Sequence, residues 1–281
     1  KGKVKLVAVT GASNVTGYVN PIHDIAKIAH RYGSKILVDG AQLVPHHPVD
    51  MKSVDDPGHI DFLCFSAHKM YAPFGIGVLI APKDTFTEGF SDIVGGGTVD
   101  LVTPKEVIWS PPPDKEEGGT PNLLGVVALI ESIEVLKKLD MKKISNYEKS
   151  LTRYTLERLK TVPNIILYDD GDVDNKVSIV SFNLEGIYHG TVASILSLEG
   201  GIGVRNGCFC AQPYVQRLLK VSKDQIEKYK RDKNLQRPGT VRISYGMYND
   251  YKEINVLIEL LKHIGNKIDF YNKKYKSLPP Y

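Results

Sequence analysis

Within the first 40 residues, two short apolar runs flank one amphipathic segment, and this order restricts the fold more than any other feature of the sequence. Apolar residues dominate Val4 to Thr10 and Lys35 to Val38, as expected of buried strands. Between them, Pro21 to Tyr32 repeats apolar residues at helical spacing, and Gly33 provides a C-cap. A strand–helix–strand unit joins two parallel strands through a crossover helix. The sequence therefore predicts an α/β fold with a mostly parallel sheet.

Polar side chains follow the strands of this predicted sheet. A third strand, Phe62 to Phe65, extends the series. Ligands of open parallel sheets bind beyond the carboxyl ends of the strands. The residues at or just after such ends are Asn14, Asp39, Gln42, Ser66, His68 and Lys69. We expect them to form a binding site.

Lys69 comes at the mouth of a mainly apolar run, Ile60 to Phe65. Desolvation of an amine lowers its pKa and frees it as a nucleophile. Such a lysine is suited to an aldehyde cofactor, which it holds as a Schiff base. Taken alone, Lys69 is better explained as a surface lysine in an ordinary strand connection, so its interpretation depends on its neighbours.

The neighbours of Lys69 match the needs of pyridoxal 5'-phosphate. A carboxylate should face the pyridine nitrogen to keep it protonated, and Asp39 has that chemistry. Gln42 is suited to the phenolic oxygen of the ring, and Ser66 and His68 to the phosphate. Each has a simpler explanation, since Asp39 also fits a capping residue and His68 a structural histidine.

A second, smaller α+β domain is predicted to begin near Lys142. Residues 1–141 would form the large cofactor-binding domain and residues 142–281 the small C-terminal domain. A long helix from Leu123 to about Leu139 ends the first part. The second part is predicted to contain strands at Ile165 to Tyr168, Ser178 to Asn183, Gly203 to Arg205 and Thr240 to Ser244, and helices at Ile144 to Thr161, Thr191 to Leu198, Lys220 to Asn234 and Lys252 to about Tyr275.

The composition disfavours several other classes of protein. Of 281 residues, 42% are hydrophobic and 24% are charged, which is typical of a soluble globular protein. The net charge of +4 and dispersed lysines do not favour a nucleic-acid partner, and no apolar run approaches the roughly 20 residues of a membrane span. Three cysteines do not form a disulfide framework, which favours a reducing cytoplasm. The chain begins within a predicted strand, so we expect it to be part of a longer protein.

Three short segments together resemble the class V aminotransferase family, whose members are fold type I enzymes that use pyridoxal phosphate. The segments are Val38-Asp39-Gly40-Ala41-Gln42, Ser66-Ala67-His68-Lys69 and Gly75-Ile76-Gly77. Within this family the chain looks most like the group II, Suf-type cysteine desulfurases, a branch that includes selenocysteine lyases. The resemblance implies a PLP-transferase-like large domain in which Lys69 forms the internal aldimine and His68 belongs to the catalytic group.

The same resemblance implies roles for residues outside these segments. Ser13-Asn14-Val15-Thr16-Gly17 matches a segment whose Asn lies beside both cofactor and substrate. Gly119-Thr120-Pro121-Asn122 is similar to a segment that reaches into the partner subunit, where its Thr contacts the phosphate. A homodimer with Thr120 at the neighbouring site is therefore expected.

The second domain resembles the part of a desulfurase that handles sulfur. Arg205-Asn206-Gly207-Cys208-Phe209-Cys210-Ala211 is similar to the motif Arg-x-Gly-x-x-Cys-Ala. Its Cys maps onto Cys210, and its Arg onto Arg205. We assign Arg205 to substrate binding, and its charge would also favour a thiolate at Cys210. Arg242 maps onto the arginine that holds the substrate α-carboxylate. The implied reaction converts L-cysteine to L-alanine and leaves a persulfide on Cys210 for an acceptor protein, as in iron–sulfur cluster assembly.

Two features depart from the family pattern. Cys208 and Phe209 occupy positions where Suf-type enzymes often have histidine. A Cys-x-Cys pair is only half a zinc site, so we assign no metal, although Cys208 also fits a residue that competes with Cys210 or resolves its persulfide. In addition, no residue can be assigned to the ring-stacking group or the phosphate-binding turn that the family's N-terminal portion supplies.

Other functions stay open at this point. The chain also fits another class V enzyme, namely a transaminase, an epimerase or a selenocysteine lyase, and in a transaminase Cys210 would be incidental. A folded but catalytically inert fragment without cofactor is a non-enzymatic alternative. A plain nucleotide-binding domain is disfavoured, because no Gly-x-Gly-x-x-Gly loop follows a strand.

Overall fold

The computed structural model describes residues 3–168 and 171–276. The chain divides into two compact units. The first comprises Lys1–Gly11 and Asn20–Met141, and the second comprises Ala12–Val19 and Lys142–Tyr281. The separation between Met141 and Lys142 falls where the composition changes, but a short segment near the N-terminus belongs with the second unit.

A four-stranded sheet organises the first unit. Its strands, in spatial order, are β1 (Leu6–Thr10), β2 (Lys35–Asp39), β3 (Phe62–Ser66) and β4 (Gly77–Ile80). The first three are parallel, and β4 is antiparallel to β3. The connection from β3 to β4 is too short for a crossover helix, so β4 has to return antiparallel. The predicted α/β fold with a mostly parallel sheet is confirmed.

Helix α1 (Ile22–Arg31) is the crossover between β1 and β2. It buries Ile22, Ala26 and Ala29, which repeat at helical spacing. Gly33 follows at φ +73°, a left-handed conformation that glycine adopts without strain. The predicted helix and its glycine stop therefore match the structure.

The remainder of the first unit holds a hairpin that the sequence did not predict. Strands β5 (Val99–Val102) and β6 (Val107–Trp109) pair antiparallel. Helix α2 (Leu123–Leu139) then extends over the predicted range. Asn122 caps it, because its side chain accepts a hydrogen bond from the Gly125 N–H.

The second unit packs helices against an antiparallel sheet with spatial order β7-β8-β10-β9. Its elements in chain order are α3 (Met141–Leu159), β7 (Ile165–Leu167), β8 (Ile179–Leu184), α4 (His189–Gly200), β9 (Arg205–Gly207), α5 (Gln212–Leu218), α6 (Lys223–Arg231), β10 (Thr240–Ser244), α7 (Tyr251–Asn266) and α8 (Ile268–Lys274). Phe182, Leu196 and Ile258 are fully buried in its core. The predicted terminal helix is thus two helices, which are separated at Lys267 by a non-helical backbone.

Residues 12–19 join the second unit through backbone pairing. The Val177 N–H donates to the Gly17 carbonyl, and the Val19 N–H donates to the Asn175 carbonyl, both at 2.9 Å. Gly17 has φ +77°, and a Cβ at this position would lie 2.9 Å from the Val177 oxygen. Only glycine permits this approach.

Among the described residues, the structure contains no helix that is long and apolar enough to cross a membrane.

Candidate active site

In the first unit, polar residues meet at the carboxyl edge of the sheet. Asp39 is the last residue of β2 and lies opposite Cys64 of β3, two residues before Ser66. A 3₁₀ turn, Ala67–Met70, continues from β3 and carries His68 and Lys69. The structure therefore places Asp39, Ser66 and the turn at one edge, as the parallel strand order predicted.

The turn that carries Lys69 is fixed at both ends. Ala67 and Met70 are buried, while Lys69 between them is half-buried. The Ala67 N–H donates to the Ile76 carbonyl at 3.0 Å. The Ser132 hydroxyl of α2 donates to the Met70 carbonyl. Lys69 therefore lies in a turn whose backbone is held by hydrogen bonds at both ends.

Asn122 connects α2 to the loop that follows Lys69. Its Oδ1 caps the helix, and its Nδ2 donates to the Phe74 carbonyl. Phe74 has φ +74° and Gly75 has φ +65°, so this loop is tightly turned. Sequence reasoning missed the second role, although a cap residue directly before an apolar run is itself a visible signal.

Asp39 presents a charged oxygen at the sheet edge. Its Oδ1 accepts a hydrogen bond from the Ala41 N–H at 2.9 Å, and no side chain or backbone N–H of the described residues donates to Oδ2. Burial raises the pKa of the Cys64 thiol, and the Asp39 charge raises it further. Cys64 therefore stays a neutral thiol in the sheet, as expected of a packing residue.

Gln42 and Thr120 complete the residues of the first unit that the sequence singled out. Gln42 is half-buried in the turn after β2. Gly40 lets this turn pack closely, because a Cβ there would lie 2.8 Å from the Val44 side chain. Thr120 is exposed two residues before the cap of α2. Its predicted contact with a partner subunit stays a prediction.

A second cluster, in the second unit, centres on Arg242 of β10. Its Nη1 donates to the Asn14 carbonyl at 2.7 Å, and its guanidinium lies 4.8 Å from the centre of the Phe209 ring. Its buried Nε has no hydrogen-bond partner among the described residues. Burial lowers the pKa of Arg242, and neighbouring Arg205 lowers it further. An orphaned donor beside a second cation is suited to bind an anion, above all a carboxylate.

Arg205 lies directly opposite Arg242 on strand β9. Its side chain is exposed. No ion pair joins a carboxylate of the described residues to either arginine. The pair therefore concentrates positive charge at this end of the sheet.

Asn14 fixes the loop that presents Cys210. Its Nδ2 donates to the Phe209 carbonyl at 2.6 Å. Phe209 and Cys210 have φ of +50° and +61°, so two consecutive residues adopt the left-handed conformation. Cys210 is exposed on this loop just before α5. Phe209 also supports Arg242, a role that its sequence position did not reveal.

Cys208 differs from Cys210 in exposure and bonding. Its thiol donates to the Pro238 carbonyl at 3.0 Å, and burial raises its pKa. A thiol held in this way is a poor nucleophile. Cys210 is the better candidate for sulfur chemistry.

Comparison with protein families gives a match over most of the chain. The family model described as aminotransferase class-V matches residues 1–257. A cysteine desulfurase from Shigella sonnei is 36% identical over 264 residues, which cover 93% of this chain and 59% of that protein. A probable cysteine desulfurase from Mycobacterium leprae is 36% identical over 263 residues, covering 94% of this chain and 39% of that protein. The chain thus spans well under two thirds of these relatives.

Among solved structures, the apo structure of a cysteine desulfurase from Thermococcus onnurineus superposes with a TM-score of 0.81 at 31% sequence identity. The match covers 93% of this chain and 60% of that chain.

Proposed function

Because the chain belongs to the aminotransferase class-V family, we propose that it acts in a pyridoxal-phosphate-dependent cysteine desulfurase, with L-cysteine as substrate and Cys210 as sulfur acceptor. The observation that carries this proposal is the second cluster. There the loop with the exposed Cys210 thiol packs its Phe209 ring against Arg242, whose buried Nε has no hydrogen-bond partner among the described residues. A carboxylate-binding arginine beside a sulfur nucleophile fits an amino acid that bears a thiol.

The donor set at the sheet edge of the first unit fits pyridoxal phosphate. Asp39 has an oxygen available for the pyridinium N–H, and Gln42 follows within the same turn. Ser66 and His68 supply a hydroxyl and an imidazole for the phosphate. When bound, the cofactor would act as an electron sink for the substrate. Lys69 would hold it covalently and then move the proton of the substrate Cα.

The second cluster would bind the substrate and take its sulfur. Arg242 would hold the α-carboxylate, with Asn14 fixing the loop around it and Arg205 adding positive charge. The Cys210 thiolate would attack the substrate sulfur. As the new S–S bond forms, the substrate Cβ–S bond breaks, and protonation of that carbon yields alanine. The persulfide stays on Cys210.

The partners follow from this chemistry. A persulfide has to pass to a thiol of an acceptor protein, and we place that transfer in iron–sulfur cluster assembly. We further propose a homodimer in which Thr120 reaches the neighbouring phosphate. Cytoplasmic localisation is supported by three free cysteines.

The test measures persulfide formation from cysteine in the presence of added pyridoxal phosphate. We expect Cys210→Ala to abolish the persulfide, and the neighbouring Cys208→Ser, as the matched control, to retain it. Lys69→Ala should remove the visible absorbance band that pyridoxal phosphate forms with the wild-type chain. Sulfide release that survives Cys210→Ala would contradict the role of Cys210. If wild type forms no Lys69-dependent band, the cofactor assignment to this chain is wrong.

A further inference from the structure

A second set of reactive side chains lies in the first unit, near the amino-terminal ends of the parallel strands. Lys69 lies beyond the opposite, carboxyl ends of the same strands. His30 is in the last turn of α1, while His59 and Asp61 come just before β3. One ligand atom of each lies within 4.8 Å of the other two. The side chains of Asp61, His30 and His59 are 9%, 18% and 19% exposed. The cluster is therefore largely enclosed but open to water on one side.

Backbone carbonyls fix the tautomer of both histidines. His30 Nδ1 lies 2.7 Å from the Pro57 oxygen, and His59 Nδ1 lies 2.7 Å from the Asp56 oxygen. A carbonyl can only accept, so both Nδ1 atoms must carry a hydrogen and donate it. Each neutral imidazole then presents its lone pair at Nε2.

Both Nε2 atoms face a carboxylate that also can only accept. His30 Nε2 lies 2.9 Å from Asp61 Oδ2, and His59 Nε2 lies 3.6 Å from Asp61 Oδ1. Asp61 Oδ2 already accepts from the Ile36 N–H. At 2.9 Å, the lone pairs of His30 Nε2 and Asp61 Oδ2 require a positive species between them, and His59 Nε2 faces the same carboxylate from a longer distance. No lysine or arginine of the described residues pairs with Asp61.

A proton satisfies this cluster only in part. One proton would bridge Asp61 to one imidazole and leave the other lone pair unmatched. Two protons would make both rings cationic. Because the rings stack with their centroids 4.2 Å apart, the two positive charges would repel each other. A single divalent cation satisfies both Nε2 atoms and the carboxylate together.

We propose that His30 Nε2, His59 Nε2 and the Asp61 carboxylate bind a divalent transition-metal cation of the Zn²⁺ type. Bonds of about 2.0–2.1 Å in a tetrahedral site place ligand atoms about 3.3 Å apart. The separations of 2.9 Å from His30 Nε2 to Asp61 Oδ2 and of 3.6 Å from His59 Nε2 to Asp61 Oδ1 lie on either side of this value, each to a different oxygen. A mixed imidazole–carboxylate set favours Zn²⁺, Co²⁺ or Ni²⁺ over Ca²⁺ or Mg²⁺. Histidines that donate Nδ1–H to carbonyls are typical of metal ligands.

The bound cation would have a structural role. It would join the end of α1 to the segment that leads into β3, and water would complete the coordination from the exposed side. Because the amino-terminal ends of the strands lie opposite Lys69 on the same sheet, the site is separate from the proposed cofactor site. Its occupancy should change the stability of the first unit.

The experiment is a titration of the full chain with Co²⁺ and Zn²⁺ in a Cys208→Ser/Cys210→Ser background, which removes the two loop thiols as competing ligands. Calorimetry and the Co²⁺ absorption spectrum report binding, and thermal unfolding reports stability. We expect one high-affinity ion, and we expect His59→Gln to weaken its affinity about tenfold or more. Exposed His263→Gln is the matched control and should leave affinity unchanged. Zn²⁺ should raise Tm in the background chain but not with His59→Gln.

Two results would overturn the proposal. The first is the absence of Co²⁺ and Zn²⁺ binding to the background chain. The second is binding that neither His59→Gln nor His30→Gln weakens, since the ion would then lie elsewhere. Far-UV circular dichroism checks that both variants fold. Because two histidines are replaced separately, the other variant still tests the proposal if one of them does not fold.

Discussion

At the scale of single residues, Arg242 shows why a sequence motif and its geometry carry different information. The motif predicts an arginine that binds a carboxylate, but it does not reveal how that arginine is prepared. In the structure, Nη1 donates to the Asn14 carbonyl, one face of the guanidinium lies against Phe209, and the buried Nε has no hydrogen-bond partner in the part of the chain that is described. These contacts fix the planar group and leave a donor for an incoming anion.

Replacing Arg242 by lysine should therefore weaken substrate binding more than catalysis. Lysine keeps the charge but loses the planar fork. A lost charge-assisted hydrogen bond costs about 1.5–3 kcal/mol, so KM for cysteine should rise roughly 10- to 100-fold with a smaller change in kcat. Steady-state alanine formation measures both. Arg153→Lys, at a surface ion pair with Asp174, should leave KM unchanged. A normal KM for Arg242→Lys would contradict its role.

His189 should make the stability of the second unit depend on pH. It is 6% exposed, and burial lowers its pKa. The unfolded chain then binds a proton at about pH 6.5, where the folded chain does not, so the free energy of unfolding falls as the pH drops below about 6.5. Urea denaturation between pH 5 and 8 should show this loss, and His189→Gln should reduce it.

The matched comparison for this pH effect is His263→Gln, which replaces an exposed histidine of α7. It should retain the wild-type pH dependence, because it leaves the buried His189 in place. If His189→Gln has the same pH profile as wild type, His189 does not cause the loss.

At the scale of elements, Asn122 links the start of α2 to the loop that follows Lys69. Removing it should destabilise both, since a lost cap costs about 1 kcal/mol and a lost hydrogen bond a similar amount. We expect Asn122→Ala to lower the free energy of unfolding by about 1–2 kcal/mol, measured by urea denaturation.

Asn122→Asp separates the two roles of this residue. Aspartate keeps the oxygen that accepts from the Gly125 N–H, but it has no N–H for the Phe74 carbonyl. Hydrogen exchange should then increase around Phe74 while the first turn of α2 stays protected. Equal protection of the loop in wild type and Asn122→Asp would show that the Phe74 contact is unimportant.

The helices and strands also show which parts of the fold can be predicted from the sequence. Periodicity and a glycine stop located α1 and the parallel strands, because both signals are local. The hairpin β5–β6 was missed, since Asp100 and Pro104 interrupt its apolar residues and its pairing is not a local property. Asn14 follows β1 in sequence, yet residues 12–19 pair with the second unit. Gly17 makes this possible by a close approach to Val177, which is distant in sequence and therefore not visible in a local pattern.

At the scale of the whole molecule, the surface of α2 is unusual for a helix that faces water. Leu123, Leu124 and Ile130 are 67%, 67% and 53% exposed, although Leu129 and Leu136 on the same helix are buried. Residues 123–130 of α2 have no polar or charged side chain, and a helical segment of this kind is normally enclosed by other protein. The chain spans 59% of the length of its Shigella relative, and our proposed function includes a second copy of the chain. Exposed apolar area on α2 fits the proposed homodimer.

We predict that this surface makes the isolated chain self-associate. Burying apolar area releases about 25 cal/mol per Å², so several large side chains on one helix suffice for measurable association. Sedimentation should show a mass that rises with concentration, and a dye that binds apolar surfaces should fluoresce with the chain. Leu124→Glu combined with Ile130→Glu should reduce both signals, because charges on this face oppose its burial. Val54→Glu, at an exposed apolar residue outside α2, should change neither. If the double variant associates as strongly as wild type, the contact between copies lies elsewhere and α2 is not the surface that joins them.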